Sequence, residues 1–189
     1  MTKKKYNYYL EATEEDPHRM CKNKNYIGKV MFLLALARPR FDGDGNETFS
    51  GKIGVFPLVT YEPTKRMSVN RDAGTLVAKP ISLINKEVCR NFLCNMMLPT
   101  IKEKWPRDDV GETIIIQRDN VPCHINDNDE EFRRVTCDSG FDIHLMSQPP
   151  NSPNLNVLDL GYFNAIQALQ HKKAPKTVDA LIDAVKKSY

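Results

Sequence analysis

The stretch ETIIIQRDN, residues 112–120, places three consecutive isoleucines between polar residues and ends on an aspartate. A short run of β-branched residues bounded in this way reads as a strand buried on both faces, at the centre of a sheet and ending near Arg118. A polar stretch suited to a short helix, 129–137, follows, and then a second strand-like run, FDIHLMSQ. Strand, helix, strand in this order requires a parallel pair, because the chain must cross back over the sheet before the second strand begins. This unit limits the chain to the mixed α/β class.

The first half reads differently. GKVMFLLALARPRF is nearly continuous in apolar residues, FDGDGNETFSG repeats Asp-Gly, and KIGVFPLVTY is rich in β-branched and aromatic side chains. Asp-Gly between two such runs signals a hairpin, so 29–38 and 52–61 are expected to pair antiparallel. Residues 11–25 are charged and unpatterned and read as a loop, and 64–75 read as a polar connection without a period. A helix is expected over 86–105, capped by Asn85, with Val88, Phe92, Met96 and Ile101 on one side and Pro99 as a kink. Leu158, Tyr162, Ala165, Ile166 and Leu169 repeat at helical spacing, as do Val178, Leu181, Ile182 and Val185 beyond Pro175. Two helices are therefore expected at the end of the sequence.

At 189 residues the chain suits one domain. Hydrophobic content of 41% and charged content of 27% are ordinary for a folded protein, and no apolar run reaches the roughly 18 residues needed to cross a bilayer. MTKKKYNYYLEATEED lacks the apolar centre of a secretory signal, so no export is expected. Five cysteines at irregular spacing point to free thiols in a reducing compartment, nucleus or cytoplasm. The net charge of +3 is unevenly spread: residues 1–71 hold thirteen Lys/Arg against eight Asp/Glu. A basic first half and a mildly acidic remainder suit a protein that meets polyanions on one part and cations on another; a solvated charged surface explains the same numbers.

In parallel α/β sheets functional groups collect at the carboxyl ends of strands. Asp119 stands there, directly after TIIIQR, and Asp159 stands in the first turn of the helix that follows the next strand. Two carboxylates converging at one sheet edge could hold Mg²⁺ or Mn²⁺, which take oxygen ligands. Asp119-Asn120 also suits a plain turn, and Asp159 a partner for the helix dipole. Cys123, His124, Cys137 and His144 have none of the spacings typical of zinc sites. His124 reads as a surface residue or as support for the carboxylates.

IIIQRDN with His124, and QPPNSPNLNVLDLG followed by Tyr162-Phe163, resemble the catalytic core of mariner-like transposases, in particular the branch familiar from plants. KVMFLLALARPRFD, GKIGVFPLVTYEPTKR, NRDAGT and TIKEKWP are similar to the same proteins, so the resemblance spans nearly the whole chain. Its most specific element is the 39 residues between Asp119 and Asp159. The resemblance implies an RNase H-like fold, with an antiparallel hairpin and parallel strands in one mixed sheet flanked by helices. It also implies a nuclear protein that cuts and joins DNA with two divalent metals, Mg²⁺ or Mn²⁺, held by three carboxylates. Asp119 would be the second of these and Asp159 the third. DNA is then the partner, with a homodimer as the candidate assembly and no membrane. Lys65, Arg66 and Arg71, with His124, are the candidate nucleic-acid contacts.

Two departures from the family pattern stand out. Ser152-Pro153-Asn154 replaces Ser-Pro-Asp, and no segment of residues 1–189 matches the Asp-Glu-Lys-Trp-Phe strand that carries the family's first carboxylate. Asp16, Asp42 and Asp44 match no catalytic position, and no N-terminal helix-turn-helix region for DNA ends is found. The expectation is a partial transposase domain without its first strand and inactive alone, the alternatives being a non-catalytic nucleic-acid-binding module or a gene relic. Such a sheet would be interrupted in its middle, with Tyr6–Leu10 as the segment placed to fill part of the gap, and the hairpin of 29–61 would be loosely held.

Overall fold

The computed structural model of the chain describes residues 29–67, 71–107, 111–137, 140–173, 175 and 177–189. Tyr6–Leu10 and the loop expected over 11–25 lie outside the described residues. In chain order the strands are β1 (Phe32–Leu36), β2 (Arg40–Phe41), β3 (Glu47–Phe49), β4 (Lys52–Pro57), β5 (Val59–Pro63), β6 (Leu76–Pro80), β7 (Thr113–Arg118) and β8 (Asp142–Ser147). The α-helices are α1 (Lys86–Phe92), α2 (Leu98–Lys104), α3 (Glu130–Cys137), α4 (Phe163–Lys173) and α5 (Val178–Ser188). The architecture is mixed α/β, and among the described residues no helix is long and apolar enough to cross a membrane.

The hairpin forms as its sequence predicts: β1 pairs antiparallel with β4, Leu33 opposite Phe56 and Leu34 opposite Val55, with a bulge between Ala35 and Leu36. The short ribbon β2–β3 extends it. Its turn is closed by Asp42, whose Oδ1 accepts from the main-chain N–H groups of Asp44 and Asn46 at 3.0 and 2.8 Å. The run expected as one strand over 52–61 is divided at Leu58, whose N–H donates to Met31 O at 2.8 Å and whose oxygen accepts from Ile81 N at 3.0 Å. After this point β5 turns to pair with β6, a strand that the polar sequence around it conceals.

The parallel pair is also as predicted, with β7 and β8 in register from Thr113–Asp142 to Arg118–Ser147. Its environment is not. Ile114 is buried and Ile116 half-buried, but Ile115 is 55% exposed. The expectation of a strand buried on both faces is corrected on that residue: among the described residues, helices cover one face of the pair and the other face is open. Nor do these strands join the hairpin, since the four ribbons are separate two-stranded sheets among the described residues.

What unites them is side-chain packing. One core gathers Ile53 and Phe56 of β4, Leu93, Met97, Leu98 and Ile101 of the long helix, and Ile114, Ile143 and Leu145 of the parallel pair. A second gathers Leu34 of β1 with Val59, Ala78, Ile166, Leu181, Ile182 and Val185. Alternate residues of β1 divide between the two, Leu33 and Ala35 toward the first and Phe32, Leu34 and Leu36 toward the second, because successive side chains of a strand point to opposite faces. The hairpin is thus the middle layer between helices on either side.

Asn85 caps the long helix as expected, its Oδ1 accepting from Val88 N at 3.0 Å. The buried row differs from the predicted one. Met96 is 48% exposed, and the inward residues are Cys89, Leu93, Cys94, Met97, Leu98 and Ile101. A π-helical turn, Leu93–Met97, widens the helix between α1 and α2 and shifts the face that meets the core. Pro99 follows directly on the π turn, inside a helix that continues to Lys104.

Candidate functional site

The carboxyl end of the parallel pair is held together by a dense polar network. Arg118, the last residue of β7, is mostly buried and pairs through Nη2 with Asp127 Oδ1 at 2.5 Å. Asp127 in turn accepts from Ser147 N at 3.2 Å and Ser147 Oγ at 2.9 Å. Burial works against the charge on Asp127, but the Ser147 hydrogen bonds and the Arg118 guanidinium outweigh it and hold the carboxyl below its ordinary range. Lys86, Asn120, His124 and these residues line an open polar cavity of about 320 Å³.

Asp119 follows immediately. The Nδ1 atom of His124 lies 3.1 Å from both its main-chain oxygen and its Oδ1. One ring N–H cannot serve two oxygens well, and the contact with the main-chain oxygen has the hydrogen-bond geometry, so Oδ1 is buried with no hydrogen bond. An ionised oxygen left in this state is costly unless a cation or donor completes it. The side chain as a whole remains 42% exposed, which leaves the carboxylate open to an incoming ligand.

Asp159 stands at the start of the segment Leu158–Tyr162, which breaks from helical geometry at Gly161 before α4 begins. Its carboxylate makes no cap hydrogen bond. Asn156 braces the turn before it, its Oδ1 accepting from Leu158 N at 3.2 Å while its Nδ2 donates to Asp159 Oδ2 at 2.7 Å. Asp159 is exposed, with one oxygen held by Asn156. The proline-rich loop before it is fastened to the end of β7: Gln117 Nε2 donates to Leu155 O at 2.9 Å, Asn120 Nδ2 to Gln148 O at 2.7 Å, and Gln148 N to Arg118 O at 2.8 Å. Gln148 Nε2 closes the loop on Ser152 O. Asn154, the departure from the family pattern, is exposed in the turn Pro153–Leu155.

The structure therefore brings Asp119 and His124 into contact and ties the Asp159 loop to the same strand end. The basic candidates lie on the connection between β5 and β6: Arg71 is 3.8 Å from Asp179 on α5, and Lys65 and Arg66, just beyond β5, are exposed. Among the described residues no three His, Cys, Asp or Glu side chains come close enough to share a metal. Two carboxylates suit one hard cation that keeps several waters. Sequence reasoning missed the Arg118–Asp127–Ser147 network, because residues 9 and 20 positions apart reveal their contact only through the fold.

Beside the network Cys89, on α1, lies against the thiol of Cys123, and burial together with that contact pushes it up to about 12. It is a protonated, structural thiol at neutral pH. Compared with known proteins, the chain matches no family model, no curated protein and no solved structure.

Proposed function

We propose that this chain is a mariner-type transposase domain of RNase H-like fold, handling DNA in the nucleus with Mg²⁺ or Mn²⁺ at Asp119 and Asp159. The observation that carries the reading is at the end of β7, where Asp119 holds a buried oxygen without a hydrogen bond beside a loop that Gln117 fastens and that leads to Asp159. In this reading the metal would activate an attacking oxygen and stabilise a leaving one. The part of the chain's own residues is to hold it: His124 fixes the main chain of Asp119 through its carbonyl oxygen, and Asn156 orients the Asp159 carboxylate.

A second reading is favoured by one observation: among the described residues no three His, Cys, Asp or Glu side chains group to hold a metal, although His124 already stands 3.1 Å from Asp119. With two ligands the site binds metal without fixing a pair of ions, and the domain grips DNA without cutting it. The experiment is a Mn²⁺ titration of the purified chain followed by electron paramagnetic resonance, paired with incubation on DNA. Asp119→Ala and Asp159→Ala should each weaken Mn²⁺ binding by about tenfold, the loss of one charged ligand. Unchanged binding in the double variant would overturn the metal-site assignment. No DNA cleavage is expected; Mn²⁺-dependent cleavage abolished by Asp119→Ala would show that the site is catalytically complete.

A further inference from the structure

At the base of the β2–β3 ribbon, away from the carboxylates, Ala37, Arg38, Pro39, Arg40, Phe41 and Trp105 line a concavity of about 560 Å³. Two of these six are arginines, two are aromatic and none is acidic. The guanidinium carbon of Arg40 sits 5.5 Å from the ring centroid of Trp105 and 5.9 Å from that of Phe49. The two rings meet edge to face, with centroids 5.8 Å apart and an angle of 63°. A guanidinium within about 6 Å of two ring centroids is attracted by both, and a guanidinium plane stacks on flat groups in general.

The rest of the concavity complements that plane. Phe41 is 57% exposed and contributes to neither core. Arg38 is exposed and has no ionic partner among the described residues. Lys52 is exposed on the same hairpin, and Lys104 Nζ reaches its main-chain oxygen at 3.2 Å, adding two cations at the flank. Asp42 is exposed and held by Asn46, whose Nδ2 donates to its Oδ2 at 3.0 Å, and neither it nor Glu47, in register opposite Phe41, lines the concavity. The floor is fixed by Gly51, at φ +71°, where Ala37 N donates to its oxygen at 2.7 Å and a Cβ would lie 2.2 Å from Ala37 O. No side chain fits there, so the approach of 37 to 51 that sets the arginines at the lip depends on glycine.

We propose that this concavity is a binding site for single-stranded nucleic acid, in which an unpaired base stacks against Arg40 and Phe41 while Arg38 and Lys104 hold the flanking phosphates. Aromatic and guanidinium planes bind any base through its π-face, and they need the base free of its partner strand. The paired bases of a duplex would offer this site phosphates alone. The site is independent of the carboxylates, so loss of metal binding there leaves it standing, and the reverse holds too.

Trp105 is the single tryptophan of the chain, so its fluorescence reports on this site directly. The chain is titrated with an oligothymidylate of about 12 nucleotides in the presence of a chelator. Saturable quenching is expected, with affinity falling about sevenfold from 50 to 200 mM salt for two phosphate contacts on a single strand. Phe41→Ala and Arg38→Ala, both at exposed positions and so expected to keep the unfolding midpoint, should each weaken binding at least fivefold. Three results would overturn the proposal: no quenching, equal quenching by polyglutamate, or tighter binding of a blunt duplex than of the single strand. A fourth, quenching unchanged in both variants, would place the contact elsewhere and overturn it equally.

Discussion

Tyr189 donates its phenolic hydroxyl to the main-chain oxygen of Ala35 at 2.6 Å, closing the last helix onto the bulge of the central hairpin. The bulge leaves that carbonyl outside the regular ladder, and the tyrosine supplies the missing donor. Tyr162 braces the ring edge to face at 6.1 Å and donates its hydroxyl to the main-chain oxygen of Tyr189 at 3.4 Å. Tyr189→Phe keeps the ring and removes the donor, so a loss of about 1 kcal/mol in urea unfolding is expected.

The same contact gives an alkaline limit to stability. Burial, and next to it the neighbouring Tyr162, raise the Tyr189 hydroxyl above its ordinary value of 10.0. The folded state holds this proton more tightly than the unfolded state, so the contribution is complete below pH 10 and is lost as pH rises beyond it. Unfolding midpoints measured from pH 8 to 11 should fall less steeply in Tyr189→Phe than in the wild type. Parallel slopes would show that Tyr189 is not the group responsible.

Asp129 governs the acid side. Arg90 grips it with Nε at 3.1 and 3.2 Å from its two oxygens and Nη2 at 2.6 Å, and its Oδ1 also accepts from Phe132 N at the start of α3. The Arg90 hydrogen bonds, against the opposing effect of burial, hold the carboxyl below its ordinary 3.8. Its stabilisation is therefore present above that value and fades as pH falls through the folded one. Asp129→Asn keeps the cap and removes the charge, with an expected cost of about 1–2 kcal/mol at pH 7 and a smaller one at pH 2. Chemical denaturation at the two pH values gives the comparison.

The unpaired side of β7 makes a prediction about solubility. This strand has one partner among the described residues and carries Ile115 outward, a combination that invites edge-to-edge association. Ile115→Lys should leave the unfolding midpoint within about 0.5 kcal/mol and lower the aggregated fraction in light scattering. Hydrogen exchange should show faster opening in β7 than in the helix 93–101 at the centre of the core. Slow, uniform protection across β1, β4 and β7 would mean that the sheet is continuous through a strand outside the described residues.

Gln117 is a positioning residue in the metal-site reading. Its amide is the side-chain link from β7 to Leu155 in the loop before Asp159, beside the main-chain bond of Gln148 to Arg118, so Gln117→Ala should weaken Mn²⁺ binding by about threefold, the cost of one ordinary hydrogen bond, with both carboxylates intact. Gln117→Glu, which keeps the length but loses the donor, should behave like the alanine variant or worse. Wild-type affinity in both would remove the loop from the argument.

Much of the element order is local and therefore legible in the sequence. Asp-Gly fixes the hairpin, the isoleucine run fixes β7, Asn85 fixes the start of the long helix, and helical spacing fixes α4 and α5. Periodicity reports which face of an element is apolar, and turn residues report where the chain reverses; both act over a few neighbours. Asp119 could likewise be found at a strand end and Asp159 at a helix start from order alone.

Only the tertiary structure decided what each of these residues meets. Ile115 is apolar by sequence and exposed by position, because among the described residues one face of β7 is covered and the other is not. Met96 has a core residue's composition, and the π turn carries it outward. Arg71 looks free for phosphate and faces Asp179; Arg40, inconspicuous in RPRF, lies on Trp105 sixty-five residues away. The reason is one of range. Backbone preference and hydrophobic period are set within a turn or two of chain, whereas a hydrogen bond, an ion pair or a stacked ring depends on a partner that only the packing of distant segments brings within a few ångströms.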